Sequence, residues 1–172
     1  MIQPEHQRRA YLEALGIDIW LPRDQAEPEP EFMDEKPVPA GMNWSALRDT
    51  VAGCTRCGLH QSRTQTVFGV GNPDADWMII GEAPGAEEDR RGEPFVGRAG
   101  KLLDEMLRAV GQGRDSAFIA NILKCRPPNN RDPKREESRE CRGYLERQIE
   151  LVQPKIILAV GRIAAQLLLD TD

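Results

Sequence analysis

The chain has 172 residues, 40 % of them hydrophobic and 30 % charged, and a formal net charge of −5. That length suits one folded domain plus a tail and is enough to bury a core. No apolar run approaches the ~20 residues of a membrane span, and the opening stretch MIQPEHQRRAYLEALGIDIW has neither the apolar segment nor the cleavage site of a secretory signal, so a cytoplasmic protein is expected.

The acidic excess is uneven. Residues 1–50 hold ten acidic and five basic side chains, which account for the whole −5, while residues 51–172 hold eighteen of each. Between positions 124 and 135, Lys124, Arg126, Arg131, Lys134 and Arg135 face only Asp132. A local basic loop can hold phosphates without a basic overall balance, although a merely solvated charged loop has the same composition.

Residues 5–20 read as a short amphipathic helix, with Tyr11, Leu12 and Leu15 on one side and Gly16 as a stop. Pro22, Pro28, Pro30, Pro37 and Pro39, set among acids, mark residues 22–42 as a disordered linker. The folded domain, residues 43–172, begins near Asn43. Trp44 to Ala52 is a predicted helix leading into Cys54. The run from Asp76 to Gly81 is a buried strand, and Arg98 to Val110 a helix with Ala99, Leu102, Leu103, Met106, Leu107 and Val110 on one face. Ala117 to Cys125 is a second buried strand with Asn121 in its middle. Asp132 and Pro133 start a helix running to about Val152, with Cys141, Leu145, Ile149 and Val152 on one side. Lys155 to Gly161 is a third strand, and Ile163 to Leu169 a last helix. Apolar strands alternating with helices predict an α/β protein, a three-layer α/β/α sandwich around a short parallel sheet. Ligands in such sheets sit at the C-terminal strand tips, here Gly81–Gly85, Asn121–Arg126 and Gly161.

Cys54 and Cys57 are two residues apart, as suits a pair clasping one metal centre from a single turn. Cys125 ends a strand and Cys141 lies two turns into the next helix, so the two can face a shared point. Four thiolates suit tetrahedral zinc or a [4Fe–4S] cluster, and separate buried cysteines are the plain alternative. Gly81-Glu82-Ala83-Pro84-Gly85 is a stiff turn whose backbone N–H groups can meet a ligand, or an ordinary strand-to-loop turn. Phe95, set between turn residues, can stack on a base or fill the core. Asn121 offers one acceptor and one two-hydrogen donor, which complements N3–H and O4 of uracil and opposes the pattern of cytosine. A structural asparagine is the alternative.

These residues resemble a known family. Cys54-x2-Cys57, GEAPG at 81–85, Glu88-Asp89, PFVGRAG at 94–100, Asn121 and KCRPPNNR at 124–131 ahead of Cys141 are similar, in order and spacing, to the family 4 uracil-DNA glycosylases. The resemblance covers about Cys54 to Asp172. It implies a structural [4Fe–4S] cluster on Cys54, Cys57, Cys125 and Cys141, which orders DNA-contacting loops. It implies hydrolysis of the N-glycosidic bond of uracil in DNA, within base-excision repair and about the nucleoid. Uracil would stack on Phe95 and be read by Asn121, with Glu82, Ala83 and Gly85 near the base and Lys124, Arg126 and Arg131 on DNA. Related glycosylases often carry a carboxylate where Ala83 stands, so Glu82 or Glu88 is expected to orient the water. Family members continue with a further strand and a histidine-proline motif whose histidine stabilises the leaving uracil anion. The only histidines here are His6 and His60. The expectation is therefore a chain without the last strand, a fragment or degenerate copy that binds its cluster and excises uracil slowly or not at all. A non-catalytic DNA-binding or replisome adaptor and a zinc-bound structural domain are the competing readings, and a monomer is expected.

The segment 8–23, Arg8-Arg9-x2-Leu12-x2-Leu15-Gly16-Ile17-x2-Trp20-x2-Arg23, resembles the N-terminal peptide by which the psi subunit of bacterial DNA polymerase III grips the clamp loader. It suits a docking peptide on a flexible tether, or a helix packed on its own domain.

Overall fold

A computed structural model of the chain describes residues 41–169. The helix expected over 5–20, the docking segment 8–23 and nearly all of the linker lie outside the described residues.

Helix α1 (Trp44–Ala52) opens on Asn43, whose side chain accepts a hydrogen bond from the Ala46 N–H at 2.9 Å and so satisfies one orphan donor of the first turn. The strands are β1 (Val70–Gly71), β2 (Trp77–Gly81), β3 (Ala117–Asn121) and β4 (Ile156–Ala159). The remaining helices are α2 (Ala86–Arg91), α3 (Arg98–Ala109), α4 (Arg135–Val152) and α5 (Arg162–Leu169). Sheet order is β1-β3-β2-β4. β2 runs parallel to both β3 and β4, as apolar runs joined by helical crossovers require.

Strands β2 and β3 are covered on both faces, and the alternation along them says how. Met78, Ile80, Phe118 and Ala120 point to one face and pack with Leu145, Val152 and Ala164 from α4 and α5. Ile79, Ala117 and Ile119 point to the other and pack with Leu103 and Leu107 of α3. Trp44 closes the first layer edge-on to Phe118, with ring centroids 5.1 Å apart. No described helix is long and apolar enough to cross a membrane.

Four expectations are corrected. The sheet is mixed, because the two-residue β1 joins β3 antiparallel, Val70 opposite Ile119. Asn121 is the last residue of β3 rather than its middle. Helix α4 starts at Arg135, with Lys134 as N-cap, rather than at Asp132. The apolar face of α3 is narrower than its sequence suggests: Leu103 and Leu107 are buried, whereas Leu102, Met106 and Val110 are 63 %, 54 % and 58 % exposed. The helix meets the sheet along one stripe, and nothing else described covers its flank.

Candidate active site and metal centre

The parallel ladder brings the tips of β2 and β3 level, Gly81 beside Asn121. It continues past the strands, with Ile122 N–H donating to Gly81 O at 2.9 Å and Leu123 N–H to Glu82 O at 3.0 Å. The two chemically distinctive segments are thereby zipped together. Phe95 arrives from the loop before α3. A Cβ added at Gly81 would lie 2.5 Å from Asn121 Oδ1 and 2.6 Å from Phe95 Cζ. The predicted aromatic and the predicted amide therefore converge over one glycine, where any side chain would collide with both.

Phe95 is held in the left-handed region, φ 54°, where a bulky residue is rarely found. Gly100 makes room, since a Cβ there would sit 1.6 Å from Phe95 O. Glu88 Oε1 accepts the next two backbone N–H groups, from Val96 at 3.1 Å and Gly97 at 3.0 Å. That carboxylate oxygen is thus engaged in bracing the aromatic loop. Glu82 is half-buried directly after Gly81. Burial, with Asp132 nearby, raises its carboxyl above the usual range, against a lowering by Arg162. Gly85 is the N-cap of α2, and Ala83 packs with Leu59, Leu123, Cys125 and Cys141 rather than with the Phe95 ring.

Behind this loop, Cys54, Cys57, Cys125 and Cys141 line one cavity together with Arg56, Arg63, Lys124, Glu140 and Tyr144. The four come from the α1 end, the β3 end and α4. As the side chains stand, no three His, Cys, Asp or Glu residues among those described are grouped for a single metal ion. Burial pushes the thiols of Cys57 and Cys125 up and that of Cys141 up to about 12. Such groups stay protonated at neutral pH until a bound cation deprotonates them. Arg63 Nη1 donates to Cys125 Sγ at 3.0 Å and lowers that thiol in opposition to burial.

Lys124 corrects the expected DNA-contact set. It is 1 % exposed, and its ammonium donates to Asn121 O at 2.7 Å and Gln148 Oε1 at 2.6 Å. Burial lowers its pKa to about 7, with Cys141 and Cys125 acting upward. A lysine so enclosed cannot reach a phosphate. Arg126 stays half-exposed, its Nε on Asn130 Oδ1 at 2.7 Å. Arg131 is paired twice with Glu137, at 2.8 and 2.5 Å. His60 lies by the cysteine pair, its Nδ1 2.7 Å from Cys57 O.

Sequence reasoning missed Arg63, Arg114 and Gln148. Arg114 donates to the carbonyls of Pro94 and Phe95. Gln148 ties Lys124 to Phe68 O, its Nε2 donating at 2.8 Å. Gln148 carried a signal, because it falls on the same helical stripe as Cys141, Leu145 and Val152, where a polar residue needs a buried partner. Arg63 and Arg114 stand in loops and carried none.

The family model of the uracil DNA glycosylase superfamily matches residues 68–171. A type-4 uracil-DNA glycosylase of Archaeoglobus fulgidus is 53 % identical over 116 residues, covering 67 % of this chain and 58 % of that protein. One from Thermotoga maritima is 48 % identical over 124 residues, covering 72 % of this chain and 65 % of that protein. A type-5 uracil-DNA glycosylase of Thermus thermophilus is 34 % identical over 140 residues, or 72 % and 64 %. The chain thus spans a little over half the length of the A. fulgidus relative. With a family model matching residues 68–171, the stretch that carries Gly81, Phe95, Asn121, Cys125 and Cys141, this chain belongs to the uracil DNA glycosylase superfamily and is similar to its type-4 members.

Proposed function

We propose that this protein removes uracil from DNA by hydrolysing the N-glycosidic bond, and that the space above Gly81 receives the extruded base. The observation that carries this reading is the meeting of the Phe95 ring and Asn121 Oδ1 over Gly81. A flipped base needs one face to stack on and one edge to read. Phe95 supplies the first. Asn121 supplies the second, accepting from N3–H and donating to O4. Breaking the bond leaves positive charge on the sugar and sends the bonding electron pair to uracil. Water adds its oxygen to C1′, and its proton balances the departing anion. Glu82 is the carboxylate we assign to orienting that water, since Glu88 Oε1 is taken by two backbone amides. Arg126 is assigned to phosphate.

The cysteine cavity is assigned to a [4Fe–4S] cluster. Two features support this. Four cysteines line one space without three of them being grouped for a single ion, and a four-iron cluster would take one thiolate per iron, so its ligands would stand farther apart than around a single zinc with bonds of about 2.3 Å. The cavity is also lined by three basic side chains, Arg56, Arg63 and Lys124, beside one carboxylate, Glu140, which suits the net negative charge that four thiolates would leave around a dipositive core. When bound, the cluster supplies a rigid anchor for the loops after α1 and β3; base capture itself falls to Phe95 and Asn121.

The test is release of uracil from a single-stranded uracil-containing oligonucleotide, run beside calorimetric binding of free uracil and iron and sulfide analysis. Phe95→Ala and Asn121→Ala are expected to lower binding and release together. A cluster-loaded chain that neither binds nor releases uracil overturns the reading. Because Glu82 acts as the carboxylate and its pKa is raised, release falls as pH drops through a point above the usual carboxylate range. Glu82→Gln removes that limb; an unchanged pH profile in the variant refutes the assignment.

A further inference from the structure

We propose that Arg114 is a positioning residue of the base slot, holding Phe95 in place without touching the base; this rests on the slot reading above. Phe95 has φ 54°, a conformation a free loop abandons for negative φ. Turning that one dihedral would carry the ring off Gly81. Something must therefore hold the peptide rather than the ring, and the Arg114 guanidinium does so. Its Nη1 donates to Pro94 O at 3.1 Å and its Nη2 to Phe95 O, the two carbonyls flanking the Phe95 dihedrals. Its Nε donates to Asp104 Oδ1 at 2.7 Å. Asp104 is rooted in α3, and Arg114 stands just ahead of β3, so both ends of the clamp are tied to elements packed on the sheet.

The arrangement needs arginine. Three acceptors on three separate groups are met by one planar fork, which keeps all three directions fixed at once. A lysine would have to choose among them. The pair is also half-covered, Arg114 and Asp104 side chains being 30 % and 38 % exposed, which lessens screening by solvent. Glu88 and Gly100 act on the same loop, on the N–H groups after Phe95 and on the space beside its carbonyl. Arg114 alone among these grips the carbonyl oxygens on both sides of residue 95.

The experiment is a double-mutant cycle on the full chain with its cluster in place, read by calorimetric binding of free uracil and by thermal midpoint. The variants are Phe95→Ala, Arg114→Met and the pair together. If Arg114 acts through Phe95, each single change weakens uracil binding on the order of tenfold, the scale of a lost base–aromatic stack. The double variant then loses no more than Phe95→Ala alone. Losses that multiply, or an Arg114→Met protein binding as tightly as the unsubstituted one, overturn the inference and leave the slot standing. If Arg114→Met does not fold, Arg114→Lys replaces it in the same cycle, since it keeps the Asp104 ion pair and loses the fork. Uracil binding indifferent to Phe95→Ala, or absent from the unsubstituted chain, overturns the slot and this inference with it.

Discussion

Lys124 and Arg126 stand two residues apart in one basic stretch, yet the fold gives them opposite work. Lys124 is sealed between Asn121 O and Gln148 Oε1. Lys124→Met leaves both acceptors unpaired, at a cost of about 1–3 kcal/mol, so its thermal midpoint falls while the salt dependence of DNA binding stays. Arg126→Ala should do the reverse: stability holds, and the slope of log affinity against log salt shrinks by about one. A salt slope that moves with Lys124 would contradict its burial. Sequence gave poor guidance here, because a lysine beside arginines and prolines has the composition of a surface loop. Its burial follows from the β2–β3 ladder running on past Asn121, which draws residues 122–125 inward. The meeting of Asn121 and Phe95 over one glycine was legible for a different reason. An amide in an apolar strand and an aromatic among turn residues both violate their local context, and such violations mark sites. Gly81→Ala is the sharpest residue-scale test. Its methyl would collide with Asn121 Oδ1 and the Phe95 ring, where the base is proposed to sit, so uracil binding should drop at least about tenfold, beyond the loss of a single stack, with α4 intact by circular dichroism.

Among the elements, α3 and α4 show how periodicity serves and misleads. On α4 the stripe of Cys141, Leu145 and Val152 is buried as its spacing predicts. On α3 the same kind of pattern overstates the contact, because only Leu103 and Leu107 meet the sheet. Leu103→Ala should cost about 2–4 kcal/mol and Leu102→Gln less than about 0.5 kcal/mol in urea unfolding; equal costs would mean a wider interface. β1 was illegible because two residues, one a glycine, carry no alternation. The start of α4 makes its own prediction. Glu137 accepts from Arg131 and from the Lys134 N–H, and the Arg131 hydrogen bond, ahead of an opposing burial effect, lowers its carboxyl below the usual value. A depressed carboxylate stabilises the fold above the unfolded-state pKa and loses that contribution as pH falls through the folded value. The thermal midpoint of the unsubstituted chain should therefore drop more steeply below about pH 4.3, the ordinary glutamate value, than that of Glu137→Gln. Parallel curves would place the stabilisation elsewhere.

Across the whole molecule, the four cysteines that line one cavity come from segments that the sheet does not join. Cys54 and Cys57 follow α1, Cys125 follows β3, and Cys141 belongs to α4. Stripping the proposed cluster with an oxidant and chelator should leave amide protection high in β2 and β3, whose pairing is independent of the sulfurs, and lower it over residues 53–62 and 123–131. Measured by hydrogen exchange, unchanged protection in those two segments would remove the anchoring role. The layer architecture was readable from sequence because apolar strands and amphipathic helices alternate. The mixed sheet was not, for want of any signal at Val70–Gly71.

The far side of the sheet has its own consequence. β4 is the outermost described strand beyond β2, and Ile156, Ile157 and Leu158 are 44 %, 42 % and 37 % exposed. Among the described residues no strand pairs with its outer row of amides and carbonyls, and such a row is a template on which a second molecule can lay a strand of its own. Light scattering should thus climb with protein concentration and subside in Ile157→Lys, so that crowding of like with like, rather than chemistry, limits how concentrated a sample can be made.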